Sequence, residues 1–174
     1  MSHSIGQSVA DSLTLCLGYA RRLLKDVTPD TFARFAAPGG TVVESNHPAF
    51  VLGHLSLYAC RVVDQLGGDA STVTPNDQFQ KVFGMEATCV DDPDGSIYPA
   101  MEEVTSEFFK NYEAALESLK SAPDEAFQKP NPHPRLAEKF PTMGSMHAFY
   151  CGGHIMMHLG QISAWRRMQG MGSA

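Results

Sequence analysis

The 174-residue chain has little cysteine, a single tryptophan, few basic residues and no long apolar run. Each shortage excludes a class of protein. Cys16, Cys60, Cys89 and Cys151 are scattered, with no Cys-x-x-Cys pair and none of the density of a disulfide scaffold. Three of them fall among apolar residues in helical patterns, where a free Cys acts as a small hydrophobe. Thirteen Lys plus Arg against 19 Asp plus Glu leave a net charge of -6. A nucleic-acid binder needs a basic patch, and the only basic doublets are Arg21-Arg22 and Arg166-Arg167, so no nucleic-acid partner is expected. The best apolar stretch, Ala49 to Cys60, is interrupted by His54 and Ser56 and falls short of the roughly 20 residues of a membrane span. No membrane partner is expected. The opening MSHSIGQSVADS lacks a basic region followed by an apolar core, so the expected location is the cytoplasm.

What remains is an ordinary globular composition, 43% apolar and 18% charged. The length predicts a single domain over residues 1–174, able to bury roughly 70% of its unfolded surface without staples. Four segments carry helical periodicity and none alternates as a strand would. The first runs from about Ile5 to Val27 on the stripe Ile5, Val9, Leu13, Cys16, Ala20 and Leu23, and stops at Thr28-Pro29. The second starts at Asn46-His47-Pro48 and ends at Gly67-Gly68. The third spans about Ile97 to Ala122, and the fourth about Thr142 to Gln169. The connector from Asp69 to Ser96 is unusually long, and such loops often serve function. Its run Asp91-Asp92-Pro93-Asp94-Gly95 is expected to form a turn and cap the third helix rather than bind calcium. The predicted fold is all-α, a four-helix bundle with a long crossover between helices two and three.

Histidine placement carries the functional signal. On the fourth helix, His147, Cys151, His154 and His158 project within an arc of about 60° at about 100° per residue, on the core-facing stripe. Buried imidazoles without partners cost free energy, so something must satisfy them. His154 and His158 are one turn apart and can reach one ion. The next residue, Ile155, stands where a zinc-protease helix needs Glu, so that chemistry is excluded. A third ligand must come from another helix, and His54 is the best candidate. His147 lies about 10 Å up the helix, which makes it a pocket, supporting or core residue. His47 is read as a helix cap or pocket wall rather than a ligand. Gln161 shares the face of His158 and either orients a ligating ring or packs helices together. His3 and His133 receive no role.

The elements Asn46-His47-Pro48-Ala49-Phe50-Val51-Leu52-Gly53-His54-Leu55 and His154-Ile155-Met156-Met157-His158-Leu159-Gly160-Gln161-Ile162 resemble the DinB-like superfamily of metalloproteins. The helix order, the long crossover and the Trp165-Arg166-Arg167 ending extend the resemblance over nearly the whole chain. It implies an up-down-down-up bundle, often a homodimer, and one divalent ion, most commonly Zn²⁺ or Ni²⁺, on His54, His154 and His158. It also implies a small-molecule substrate, since better understood relatives transfer or use low-molecular-weight thiols.

Three neutral imidazoles around a divalent ion leave coordination positions open, the catalytic rather than the structural pattern. Such an ion lowers the pKa of a bound water or thiol. The leading expectation is therefore a metal-activated nucleophile, serving thiol S-transfer or hydrolysis. A metal-binding or sensor bundle without turnover, and a plain structural bundle, stand beside it. No general base is identifiable; Glu44 and Asp64 qualify only by proximity in the chain. Metal uptake should fall as pH drops below about 6.5, the ordinary imidazole value.

Overall fold

A computed structural model describes residues 3–174. It is all-helical, with no strand among the described residues; only the isolated bridges Ala36–Val43 and Pro130–Thr142 pair extended backbone. The elements are α1 (Ile5–Leu23), α2 (Pro29–Phe32), α3 (Pro48–Gln65), α4 (Asp77–Phe83), α5 (Met101–Ser121), α6 (Asp124–Gln128), α7 (Pro134–Ala137), α8 (Met143–Ala148) and α9 (His154–Met168). A π-helical turn, Phe149–Gly153, joins α8 to α9 in one continuous rod. Among the described residues, no helix is long and apolar enough to cross a membrane.

Local chemistry sets most of these boundaries. Ser4 caps α1 by accepting from Gln7 N, and the His47 ring does the same for α3 through Phe50 N. Asn76 caps α4, and Thr142 with Ser145 forms a capping box at α8. The first helix ends at Leu23, short of Val27, because Asp26 turns into the left-handed region at φ 66°.

The third long helix begins at Met101, not Ile97. Pro99 biases Tyr98 out of the helical region. The aspartate run is a turn, as expected, but caps no helix. The Asp92 carboxylate accepts from the backbone N–H groups of Ser96, Ile97 and Tyr98, while Asp91 accepts from Phe35 N and Arg34 Nε.

The four rods enclose one continuous core, with Trp165, Tyr112, Phe108 and Leu13 fully buried within it. Each long helix packs on two others. Along α1, Gly6 lies against Leu119 and Arg21 pairs with Glu113 of α5 at 2.7 Å. On the other side of α1, Cys16 faces the Gly152 carbonyl and Arg166 donates to the Leu23 carbonyl. Between α3 and α5, Tyr112 Oη donates to Leu55 O and Asn111 Nδ2 to Ser56 O. Between α3 and the last rod, Asn46 meets Gln161 and Gln65 meets His147.

The crossover is not structureless. It carries α4, whose Phe79 and Phe83 are buried one turn apart against α3. That docking positions the site.

Candidate metal centre

Three histidines converge on the seam between α3 and α9. His54 projects from the middle of α3; His154 opens α9 immediately after the π-helical turn, and His158 follows one turn later. Their ring centroids are 5.8 Å (54–154), 5.1 Å (54–158) and 4.8 Å (154–158) apart. One nitrogen from each ring lies within 4.8 Å of the other two. His154 is buried, and His54 and His158 are half-buried.

The hydrogen bonds fix which nitrogens face the cluster. His54 Nδ1 donates to the Phe83 carbonyl at 2.9 Å. His158 Nδ1 donates to Gln161 Oε1 at 3.1 Å, and the same oxygen accepts from Asn46 Nδ2 at 3.1 Å. With their protons on Nδ1, both rings keep a bare lone pair on Nε2. The buried Nδ1 of His154 has no hydrogen-bond partner among the described residues. A buried, unpaired imidazole nitrogen is costly, and a metal with its ligands offers one way to satisfy that ring.

The delivery of the Phe83 carbonyl depends on Gly53. A Cβ at position 53 would lie 2.4–2.5 Å from three Phe83 ring carbons, so only a bare α-carbon lets that ring seat on α3. The Gly-His pair thus reads as one device: Gly53 admits Phe83, and Phe83 orients His54.

Aromatic rings form the wall. Tyr58 meets His154 edge-on at 4.7 Å and His54 at 5.1 Å; Phe149 lies 5.3 Å from His154, and Phe50 stacks on His54 at 6.3 Å. Burial pushes all three imidazoles below their usual pKa. For His154 burial is joined by the like-charge influence of His158 and His54 and brings it to about 3. For His54 the bond to Phe83, and for His158 the bond to Gln161, works against burial without reversing it. Among the described residues no carboxylate joins the three rings, and Glu44 and Asp64 are solvent-exposed. The triad is neutral and ready to donate.

The other histidines and Cys151 sit elsewhere. His47 is a cap: Nδ1 accepts from Phe50 N and Nε2 donates to Val90 O at 2.9 Å. His147 is fully buried against the Phe127 ring, with Nε2 on Gln65 Oε1, and makes no ring contact with the triad. Cys151 is buried inside the π turn, and burial drives its thiol far up, out of the reactive range. The single stripe of four drawn from 100° steps does not survive that turn. Its i→i+5 bonds take up more residues than an α-turn, so the rows before and after it fall out of register.

Periodicity reasoning missed Phe83, Tyr58 and Phe149 as neighbours of the triad. For Phe83 a signal existed: Asn76 as cap, followed by Phe79, Val82 and Phe83 at helical spacing.

The DinB superfamily model matches residues 13–162, a stretch that includes the triad, Asn46 and Gln161. The chain belongs to the DinB superfamily. No curated protein and no solved structure matches it. The donor set of this DinB chain, three neutral nitrogens without carboxylate or thiolate, suits a borderline divalent ion. Tetrahedral bonds of about 2.05 Å place ligand nitrogens about 3.3 Å apart, so the rings need close by only an ångström or so to hold one.

Proposed function

We propose that this DinB-superfamily chain is a divalent-metal-dependent enzyme acting on a small molecule, with His54, His154 and His158 as the ligands. The observation that carries the reading is the convergence of three neutral, buried or half-buried imidazoles, two of them locked by acceptors on Nδ1. The ion, Zn²⁺ or Ni²⁺ by its donors, would supply Lewis acidity that brings a water or thiol into ionisation near neutral pH.

The chain's own residues do the rest. Phe83 and Gln161 orient the ligating rings, while the rings of Phe50, Phe149 and Tyr58 pack against His54 and His154, Tyr58 bringing a phenol hydroxyl as well. Among the described residues no carboxylate joins the cluster to take or return a proton. That favours S-transfer from a low-molecular-weight thiol over hydrolysis. A thiol near pKa 8.5 ionises after a small shift, whereas cleaving an amide also needs an acid for the leaving group.

An up-down-down-up course fits the contacts described above. The contacts Cys16 to Gly152 and Leu23 to Arg166 run parallel, and Phe50 to Tyr98, Leu55 to Tyr112 and Gly68 to Ser118 make a second parallel pair. Asn46 to Gln161 and Gln65 to His147 run antiparallel.

The test is metal analysis of untagged protein, followed by a screen of the loaded protein with low-molecular-weight thiols and electrophiles. One ion per chain and thiol-dependent turnover are expected. Metal-free protein that takes up no zinc or nickel ends the reading. Tight binding without turnover across the panel selects the non-catalytic metal-binding alternative, which the lack of a facing carboxylate also suits.

A further inference from the structure

We propose that Asn46 is a positioning residue: it sets the polarity of the Gln161 amide and, through it, the tautomer of His158. One oxygen, Gln161 Oε1, accepts from both Asn46 Nδ2 and His158 Nδ1, each at 3.1 Å. The two ends of a glutamine amide are nearly equal in shape and opposite in hydrogen-bond sense. Turned over, Gln161 would aim an N–H at His158 Nδ1. That nitrogen would then have to accept, the ring proton would move to Nε2, and the lone pair facing His54 and His154 would be lost.

Asn46 Nδ2 decides between the two arrangements. With its N–H in place, a turned-over Gln161 would set donor against donor in a half-buried seam. The backbone of Asn46 is placed by the residue that follows it: the His47 ring caps α3 through Phe50 N and donates to the Val90 carbonyl of the crossover. Asn46 reaches the triad through the Gln161 oxygen and the one proton that His158 shares with it.

The effect on metal affinity rests on the function proposed above; the effect on the tautomer does not. The experiment compares the metal-free full chain with Asn46→Asp and Gln161→Glu by long-range nitrogen–proton NMR of the His158 ring, and by zinc titration against a chelator. In Asn46→Asp the new carboxylate can only accept, so Gln161 should turn over, the His158 proton should move to Nε2, and zinc affinity should fall 10- to 100-fold. Gln161→Glu can only accept from both neighbours, so it should keep the Nδ1–H tautomer. Asn46→Asp with His158 still protonated on Nδ1 overturns the proposal. Should Asn46→Asp fail to fold by circular dichroism, Asn46→Ala carries the test. It should show a mixture of tautomers, and a pure Nδ1–H form would be equally fatal. If the unaltered chain takes up no zinc, the metal reading fails while the tautomer comparison still decides the role of Asn46.

Discussion

The ring of Phe83 lies face-on over Gly53, where a Cβ would come within 2.4 Å of it, and the Phe83 carbonyl holds His54 Nδ1 at 2.9 Å. One residue of the crossover thus uses its side chain to grip α3 and its backbone to aim a histidine of the triad. Stability and site geometry are coupled at this point.

Gly53→Ala should therefore cost both. Overpacking of this kind destabilises by about 1–3 kcal/mol, and moving Phe83 also removes the His54 acceptor. The expected result is a lower melting temperature together with zinc affinity reduced about 10- to 100-fold. Adding Phe83→Leu to Gly53→Ala should restore part of both by making room. If Gly53→Ala shifts melting alone and leaves zinc titration untouched, Phe83 does not orient His54.

Single alanine substitutions should sort the histidines sharply. His54→Ala, His154→Ala and His158→Ala are each expected to abolish stoichiometric metal binding while leaving far-ultraviolet circular dichroism helical, since the core rather than an ion holds the rods together. His147→Ala should retain the metal and lose stability, because His147 is packed on Phe127 and paired with Gln65 away from the triad rings. Metal content and urea midpoints on the four variants check this. An empty site in His147→Ala would sink the assignment.

Arg166 offers a control with the opposite signature. It is 2% exposed, has no carboxylate partner among the described residues, and donates to the carbonyls of Leu23, the last residue of α1, and Lys25 just beyond it. Arg166→Met should destabilise the fold by about 1.5–3 kcal/mol, the usual loss for charged hydrogen bonds, with zinc affinity unaltered. A large loss of affinity in a folded Arg166→Met protein would show that the C-terminal end of α9 reaches the site.

The sequence patterns made the four long helices and the pairing of His154 with His158 legible because amphipathic stripes and one-turn spacing are local properties. His54 and Gln161 were legible as residue types on the right faces. Three features were not. The π-helical turn has no stripe of its own, and it removes His147 and Cys151 from the row that ideal geometry gave them. The helix Asp77–Phe83 hides in a connector because its apolar content is only two turns long. The acceptors on His54 and His158 lie 29 and 3 residues away, and only the second can be guessed from spacing. Asn46 was visible as part of the start of the second helix and of a family-like motif; its bond to Gln161 appears only once α3 and α9 are packed.

Acid stability gives the last prediction. Burial lowers His147 to about 4, and burial with its two neighbouring imidazoles lowers His154 to about 3. In the unfolded chain both titrate near 6.5. Below that pH the unfolded state of the metal-free protein binds more protons than the folded one, so stability must fall as pH falls. The contribution is complete above about pH 6.5 and is lost on the way down to about 4 for His147 and about 3 for His154. For His147 the loss is on the order of 3 kcal/mol. Urea midpoints in chelator should therefore drop steeply between pH 7 and 4.5, and His147→Met should flatten part of that slope. The same depressed values shift proton competition for the metal below the ordinary imidazole range, so zinc should stay bound at pH 6 and leave only as the medium becomes distinctly acidic. A metal-free urea midpoint that is level from pH 7 to 4.5, or zinc release centred at 6.5, would mean that these rings titrate as if exposed.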